Sequence, residues 1–211
     1  MIKNLGLIPA RANSVRCPGK NTADLGGRAL IEWTILTALK SGMFDTVAVT
    51  TNDPQAKEYA IKHNCTVIDR PDRLSQPDTP SLPVVRHALD KIECETVMLL
   101  QPTSPFRLAD DIRAAYDLFA PPAMDALVSV TKAPELMAFE IGNARRLRPL
   151  SLAVVENGAM YLSTSEHLQR GGTWYDGFTY AYYMDKDRSL DIDTQQDLEI
   201  ARTLVSKLEA A

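Results

Sequence analysis

From its third residue to about residue 130, the chain alternates short apolar or β-branched runs with amphipathic stretches of ten or so residues. Residues 3–8, 46–51, 66–68, 96–100 and 126–130 read as strands. Between them, 29–41, 54–64, 83–92 and 109–119 carry apolar side chains at helical spacing. In the first of these helices the apolar positions are Leu30, Ile31, Trp33, Leu36 and Leu39, and Gly42 follows as a stop. Asp53 supplies a cap for the second, with Pro54 at its first helical position. Strands and helices alternating at these lengths build βαβ units on a parallel sheet, an α/β fold. Ligands of such sheets sit outside the carboxyl ends of the strands. Function is therefore expected in the loops after Ile8, Thr51, Ile68, Leu100 and Val130.

Beyond Val130 the pattern loosens. Residues 131–153 are irregular, hold Arg145, Arg146 and Arg148 ahead of Pro149, and read as an excursion from the core. Strand candidates return at 157–163 and 179–184, and an amphipathic helix at 194–208 closes the chain. A length of 211 residues suits one sizeable core. The net charge of −4 argues against a nucleic-acid partner. There is no apolar run long enough to cross a bilayer, and Lys3 and Asn4 interrupt the N-terminal apolar stretch. A membrane is thus not an expected partner, and a cytoplasmic location is. Cys17, Cys65 and Cys94 are far apart and odd in number, which fits buried thiols better than a zinc site or a disulfide framework.

Four segments carry residues suited to chemistry. The first, Ile8-Pro9-Ala10-Arg11-Ala12-Asn13-Ser14-Val15-Arg16-Cys17-Pro18-Gly19-Lys20-Asn21, follows the first strand. Its small residues let backbone N–H groups approach phosphate oxygens, and Arg11, Arg16 and Lys20 neutralise their charge. The second runs from Leu99 through Gln101, Thr103 and Ser104 to Arg107, stiffened by Pro102 and Pro105. The third is Glu156-Asn157-Gly158-Ala159-Met160-Tyr161. The fourth is Asp191-Ile192-Asp193-Thr194, whose Asp-x-Asp spacing puts two carboxylates on one face of an extended segment. Magnesium is held by such pairs together with substrate phosphates. Plainer roles exist for several of these residues. Arg70 beside Asp69 and Asp72 reads equally as a surface pair, Arg107 as a surface residue at a helix start, Thr103 or Ser104 as caps of that helix, and Asp193 as the cap of the last one.

In that order and spacing, the four segments resemble the CMP-sialic acid synthetase (acylneuraminate cytidylyltransferase) family over nearly the whole chain. The resemblance implies a single Rossmann-like nucleotidyltransferase domain over 1–211, with a mostly parallel central sheet. It implies transfer of CMP from CTP to an acidic acceptor with release of pyrophosphate, dependent on Mg2+ or another divalent cation. Carried over by position, Ala10, Arg11, Asn13, Ser14, Lys20, Asn21 and Arg70 would bind the nucleotide. Gln101, Thr103, Ser104, Arg107 and Asn157 would line the acceptor side, and Asp191 and Asp193 would hold the metal. Arg11, Arg16, Lys20 and Asp193 are the residues expected to carry catalysis.

Two departures separate the chain from the sialic acid enzymes. Val15 stands where they carry a lysine after the loop serine, and Arg16 follows it, an arrangement similar to the loop of CMP-Kdo synthetases. The excursion, taken as 131–156, is shorter than the stretch that forms their dimer contact. It is expected to act as a dimerisation or lid segment, and a homodimer is expected with it. Both departures concern the acceptor more than CTP, so the expected acceptors are a nonulosonic acid, another 2-keto sugar acid or a small phosphonate. The alternatives are a non-catalytic nucleotide-binding module of the same fold and a nucleotidyltransferase that uses another nucleoside triphosphate.

Overall fold

The computed structural model describes residues 2–12, 14–133, 139–141, 147–149 and 153–206. In chain order these form β1 (Ile2–Ala10), two-residue strands β2 (Asp24–Leu25) and β3 (Arg28–Ala29), α1 (Leu30–Ser41), β4 (Thr46–Thr51), α2 (Pro54–Lys62), β5 (Thr66–Asp69), α3 (Ser81–Leu89), β6 (Cys94–Leu100), α4 (Ala109–Leu118) and β7 (Ala126–Lys132). They continue as β8 (Phe139–Ile141), β9 (Leu147–Pro149), β10 (Val154–Thr164), α5 (Ser165–Gln169), β11 (Thr179–Tyr183) and α6 (Gln195–Leu204).

Seven strands join in the order β11-β7-β10-β6-β1-β4-β5. All pairings are parallel except the two made by β10. The mostly parallel α/β sheet expected from the alternation is therefore present, with one reversed strand. The reversal has a local cause: β7 and β10 are joined as a hairpin, with Lys132 opposite Val154, and a hairpin turns the chain back where a crossover helix would not. From β1 the chain builds outward through β4 to β5, then crosses to β6 on the other side of β1. The carboxyl ends of β1 and β6 thus flank the point where strand order reverses, the usual place for a ligand in such sheets.

Side chains alternate across the sheet. Along β1, Leu5 and Leu7 pack on Val85, Ala88 and Leu89 of α3 and on Leu168 of α5. Ile8 and Ala10 face the other layer, with Ile31 and Ile35 of α1, Ala56 and Ala60 of α2, and Ile112 and Ala115 of α4. A third cluster gathers Cys17, Leu25, Leu30, Trp33, Phe106, Ile192, Leu198 and Ala201. It fastens three otherwise separate pieces to one another: the loop after β1, the loop after β6 and the start of α6.

Some boundaries move. α2 ends at Lys62 rather than residue 64, and Asn64 takes a left-handed backbone, φ 57°, as the chain turns into β5. α3 begins at Ser81 and stops at Leu89, ahead of the expected 92. The cap of α6 is Thr194: its Oγ1 accepts from the Asp197 N–H at 3.2 Å, while Asp197 Oδ2 accepts from the Thr194 N–H at 2.7 Å. Asp193 therefore does not cap the helix and its carboxylate is available elsewhere. The ends of the 131–156 excursion lie in the central sheet, where Thr131 and Lys132 pair with Val155 and Val154. Its described middle is the antiparallel pair β8 and β9, while Arg145 and Arg146 lie outside the described residues. Among the described residues no helix is long and apolar enough to cross a membrane.

Candidate active site at the carboxyl edge of the sheet

Two cavities open side by side at the carboxyl edge, and Gln101 lines both. The larger arrangement of charge is in the first, about 360 Å³, whose wall includes Arg11, Ser14, Arg16, Lys20, Asn21, Arg70, Gln101, Thr103 and Asp193. Local sequence explains how the loop after β1 presents these groups. Gly19 takes a left-handed conformation, φ 69°, that turns the chain into a short helical turn starting at Lys20. The Lys20 ammonium then donates to the Ile192 carbonyl and to Asp193 Oδ1, each at 3.0 Å. Arg16, more exposed, pairs with Asp193 Oδ2 at 2.8 Å. Buried Asn21 holds the base of the loop by donating to the Arg11 carbonyl at 3.1 Å, and Arg11 itself donates to the Gln76 carbonyl.

Arg70 is not a surface pair with Asp69 and Asp72. It is 7% exposed, donates through Nη2 to the Thr50 carbonyl at 2.7 Å, and its Nε has no partner. Burial, with the Arg11 charge adding to it, pushes its pKa down to about 10. The cavity therefore gathers four cationic side chains against one carboxylate, Asp193. A small anion of high charge is what such a wall lacks.

The second cavity, about 390 Å³, is lined by Gln101, Thr131, Lys132, Glu156, Asn157, Gly158, Tyr161, Lys186, Ser189 and Asp191 among others. The segments around it are knotted together by backbone and side-chain bonds. The Ile192 N–H donates to the Thr103 carbonyl at 2.8 Å, joining the 190s loop to the loop after β6. Asn157 is buried and fully engaged: its Oδ1 accepts from Ser129 Oγ at 2.6 Å and from the Ala159 N–H at 3.2 Å, and its Nδ2 donates to Ser189 Oγ at 2.9 Å. Gly158, with φ 72°, lets β10 bulge here, and a Cβ on it would sit 3.6 Å from Asp191 Oδ2.

Asp191 and Asp193 face neighbouring cavities rather than one common face. Asp191 is deeper. Burial raises its carboxyl above the usual carboxylate range, against the pull of the Thr103 hydroxyl, and its Oδ1 is buried with no partner. Among the described residues no cluster of three or more His, Cys, Asp or Glu forms a ready-made cation cage. The donor set does suit a cation that brings substrate oxygens with it: one orphaned carboxylate oxygen, and a second carboxylate two residues on.

Of the residues singled out in the sequence, Arg11, Ser14, Arg16, Lys20, Asn21, Arg70, Gln101, Thr103 and Asp193 meet at the first cavity, and Asn157 and Asp191 at the second. Ala10 is the buried last residue of β1 and lines neither, and Asn13 lies outside the described residues. Ser104 is fully buried, donating to the Asn157 carbonyl at 3.4 Å. Arg107 is 1% exposed, so it is not a surface residue, and it reaches neither cavity. Its Nη1 donates to the Ala159 carbonyl at 2.7 Å, and burial lowers its pKa to about 10 although Asp111 acts in the opposite sense. Both residues brace β10 from behind. Neither Thr103 nor Ser104 caps α4, since the Leu108 N–H is met by Asp111 Oδ2 at 2.8 Å. Sequence reading missed Lys132 and Lys186, and included Glu156 and Tyr161 in the third segment without giving either a role. The strand-end rule could have found both missed lysines, because Lys132 ends β7 and Lys186 follows β11.

A sequence model of the cytidylyltransferase family matches residues 5–205. The N-acylneuraminate cytidylyltransferase of Escherichia coli O18:K1:H7 is 31% identical over 97% of this chain, and the chain spans about half of that relative, 52% of its length. The pseudaminic acid cytidylyltransferase of Campylobacter jejuni is 30% identical, with 96% of each chain covered. Among solved structures, a CMP:2-keto-3-deoxy-manno-octonic acid synthetase complexed with CTP superposes with a TM-score of 0.77 over 97% of this chain and 99% of the other, at 17% identity.

Proposed function

The chain belongs to the cytidylyltransferase family, and on that premise we propose that it transfers CMP from CTP to a small acidic acceptor and releases pyrophosphate. The acceptor class is a nonulosonic or other 2-keto sugar acid, or a small phosphonate. The observation that carries the reading is the pair of adjoining cavities: a four-cation cavity for the triphosphate, meeting a second cavity at Gln101, with Asp193 and Asp191 on either side.

In the reaction an acceptor oxygen forms a bond to the α-phosphorus while the bond to the bridging oxygen of the leaving pyrophosphate breaks. Arg11, Arg16 and Lys20 hold the leaving oxygens and take up their charge as it develops. Arg70, fixed by the Thr50 carbonyl, presents its remaining N–H groups to the nucleotide. Gln101, which lines both cavities, and Thr103 beside it in the first set the approach of the attacking oxygen. Asp191 and Asp193 would hold a divalent cation such as Mg2+, which when bound neutralises and polarises the α-phosphate. Lys20 and Arg16 would exchange Asp193 for phosphate oxygens as the nucleotide enters. We further propose that the protein acts in the cytoplasm as a homodimer whose contact is formed by the 131–156 excursion.

Incubation with CTP, Mg2+ and a panel of sugar acids and phosphonates tests the reading by the pyrophosphate released. Release with at least one acceptor, and with CTP in preference to UTP, GTP or ATP, is expected. No release with any acceptor, together with no CTP-induced thermal shift, would overturn it.

A further inference from the structure

The second cavity contains an acidic side chain that an acid-binding pocket has no evident use for. Glu156 stands at the start of the bulge in β10, lining the same cavity as Lys132 and Lys186. Its placement is fixed. The hydroxyl of Tyr161, a residue 7% exposed, donates to Glu156 Oε2 at 2.7 Å. Tyr161 is held in turn against the Trp174 ring, centroids 5.4 Å apart. The bulge is what allows a hydroxyl five residues along the strand to reach back to this carboxylate.

A fixed carboxylate repels the acid group of any acceptor and is tolerated only if it faces a different part of the molecule. The spacing along β10 says which part. Gly158 packs beside Asp191, where attack on the nucleotide would take place, and Glu156 lies two residues out from it. At strand spacing that is up to about 7 Å, the length of a small acceptor. Lys132 and Lys186 line the same cavity and make its wall positive as well as negative, as a bipolar ligand requires.

We propose that Glu156 is a specificity-determining residue which reads a hydrogen-bond donor, hydroxyl or ammonium, at the end of the acceptor remote from its attacking oxygen. The pocket then takes a bipolar or hydroxylated acid rather than a bare one. Glu156 is exposed to water in the free protein, so an acceptor that covers it without supplying a donor strips water that it does not replace and binds less well. The inference rests on the cytidylyltransferase reading given above.

The test uses matched acceptors with CTP and Mg2+: a sugar acid and its deoxy analogue, and an ω-aminoalkylphosphonate and its alkylphosphonate counterpart. Pyrophosphate release gives kcat/KM for each. The wild-type protein is expected to prefer the donor-bearing member of at least one pair by about tenfold or more. Glu156→Ala should collapse that preference, chiefly through KM. Glu156→Gln separates the two donors: an amide carbonyl still accepts from a hydroxyl, so a hydroxyl preference largely persists, whereas an ammonium preference is lost. An active wild-type enzyme whose preference is unchanged in Glu156→Ala would overturn this inference and leave the cytidylyltransferase reading standing. No release from any acceptor by the wild type would overturn both.

Discussion

Arg70→Met should make the free protein more stable and the nucleotide complex weaker. Arg70 is 7% exposed, has one hydrogen bond to the Thr50 carbonyl, and keeps its Nε without a partner. Its pKa falls from 12.5 to about 10, and that depression corresponds to a folding penalty of about 3 kcal/mol at neutral pH. The sign follows from linkage. The folded state binds the proton less tightly than the unfolded chain does, so the penalty is fully present below pH 10 and is relieved only as pH rises above it. Methionine fills much of the same volume without the charge. Against the gain stands the Thr50 carbonyl, which loses its donor at a cost of about 1–2 kcal/mol. The balance is a stabilisation of about 1–2 kcal/mol, or a rise in Tm of about 2–8 °C for a chain of this size.

The nucleotide sees the opposite effect. A buried guanidinium meeting a phosphate or a base oxygen contributes about 1.5–3 kcal/mol, so the variant should bind CTP about 10–100-fold more weakly. Thermal shift with and without CTP reads both quantities in one experiment, since a ligand that binds only the folded state raises its stability. The expected pattern is a raised Tm without CTP and a much reduced increment with it. A variant that melts lower than wild type while keeping its full CTP increment would refute the reasoning. Arg70 would then be part of the scaffold, not a strained group held for a ligand.

Three further outcomes follow from the same geometry. Asp193→Ala should cut pyrophosphate release at least a hundredfold, on the order expected for losing a site-building charge. Its Tm should fall by no more than about 4 °C, because the exposed pair with Arg16 contributes less than about 1 kcal/mol and Lys20, which loses the same carboxylate, keeps its bond to the Ile192 carbonyl. Glu32→Gln should destabilise by about 1–3 kcal/mol at pH 7. Burial pushes this carboxyl up, but hydrogen bonds from Lys62, His63 and the Ala29 N–H outweigh it and hold the pKa below the ordinary 4.5. Its stabilisation is thus present above pH 4.5 and lost as pH falls through the lower folded value, so urea midpoints of the variant should depend less on pH in that acid range. Gly158→Ala places a side chain at φ 72° and should lower stability by about 1–2 kcal/mol, read by the urea midpoint.

The sheet was legible because its signals are local. Runs such as Thr46–Thr51 and helices with their own caps, Asp53 accepting from the Gln55 N–H at 2.9 Å for one, announce themselves within a few residues. Strand ends then located the functional loops, since the named residues of the first cavity, Asp193 apart, come from the loops after β1, β5 and β6. The reversal of β10 was not legible, because its buried run, residues 159–163, has the same composition in either direction. That reversal matters for the site. It brings the amino end of β10, rather than its carboxyl end, to the functional edge, and with it Glu156, Asn157 and Gly158.

The errors at single residues share a cause of the same kind. A polar residue in a motif does not declare whether it faces the ligand or the protein. Arg107 and Ser104 belong to the same short segment as Gln101 and Thr103, yet the first two point back at the carbonyls of Ala159 and Asn157 while the latter two line a cavity. What separates them is the crossing of β10 behind the loop, a contact between residues more than fifty positions apart. Asp191 and Asp193 divide for a related reason. Between them Ile192 is fully buried in the cluster that holds α6, and its N–H is bonded to the Thr103 carbonyl. Fixing that one residue turns its two neighbours outward into adjoining cavities. A motif that looked like a simple metal-binding pair is therefore also the partition between the place for the triphosphate and the place for the acid that would attack it.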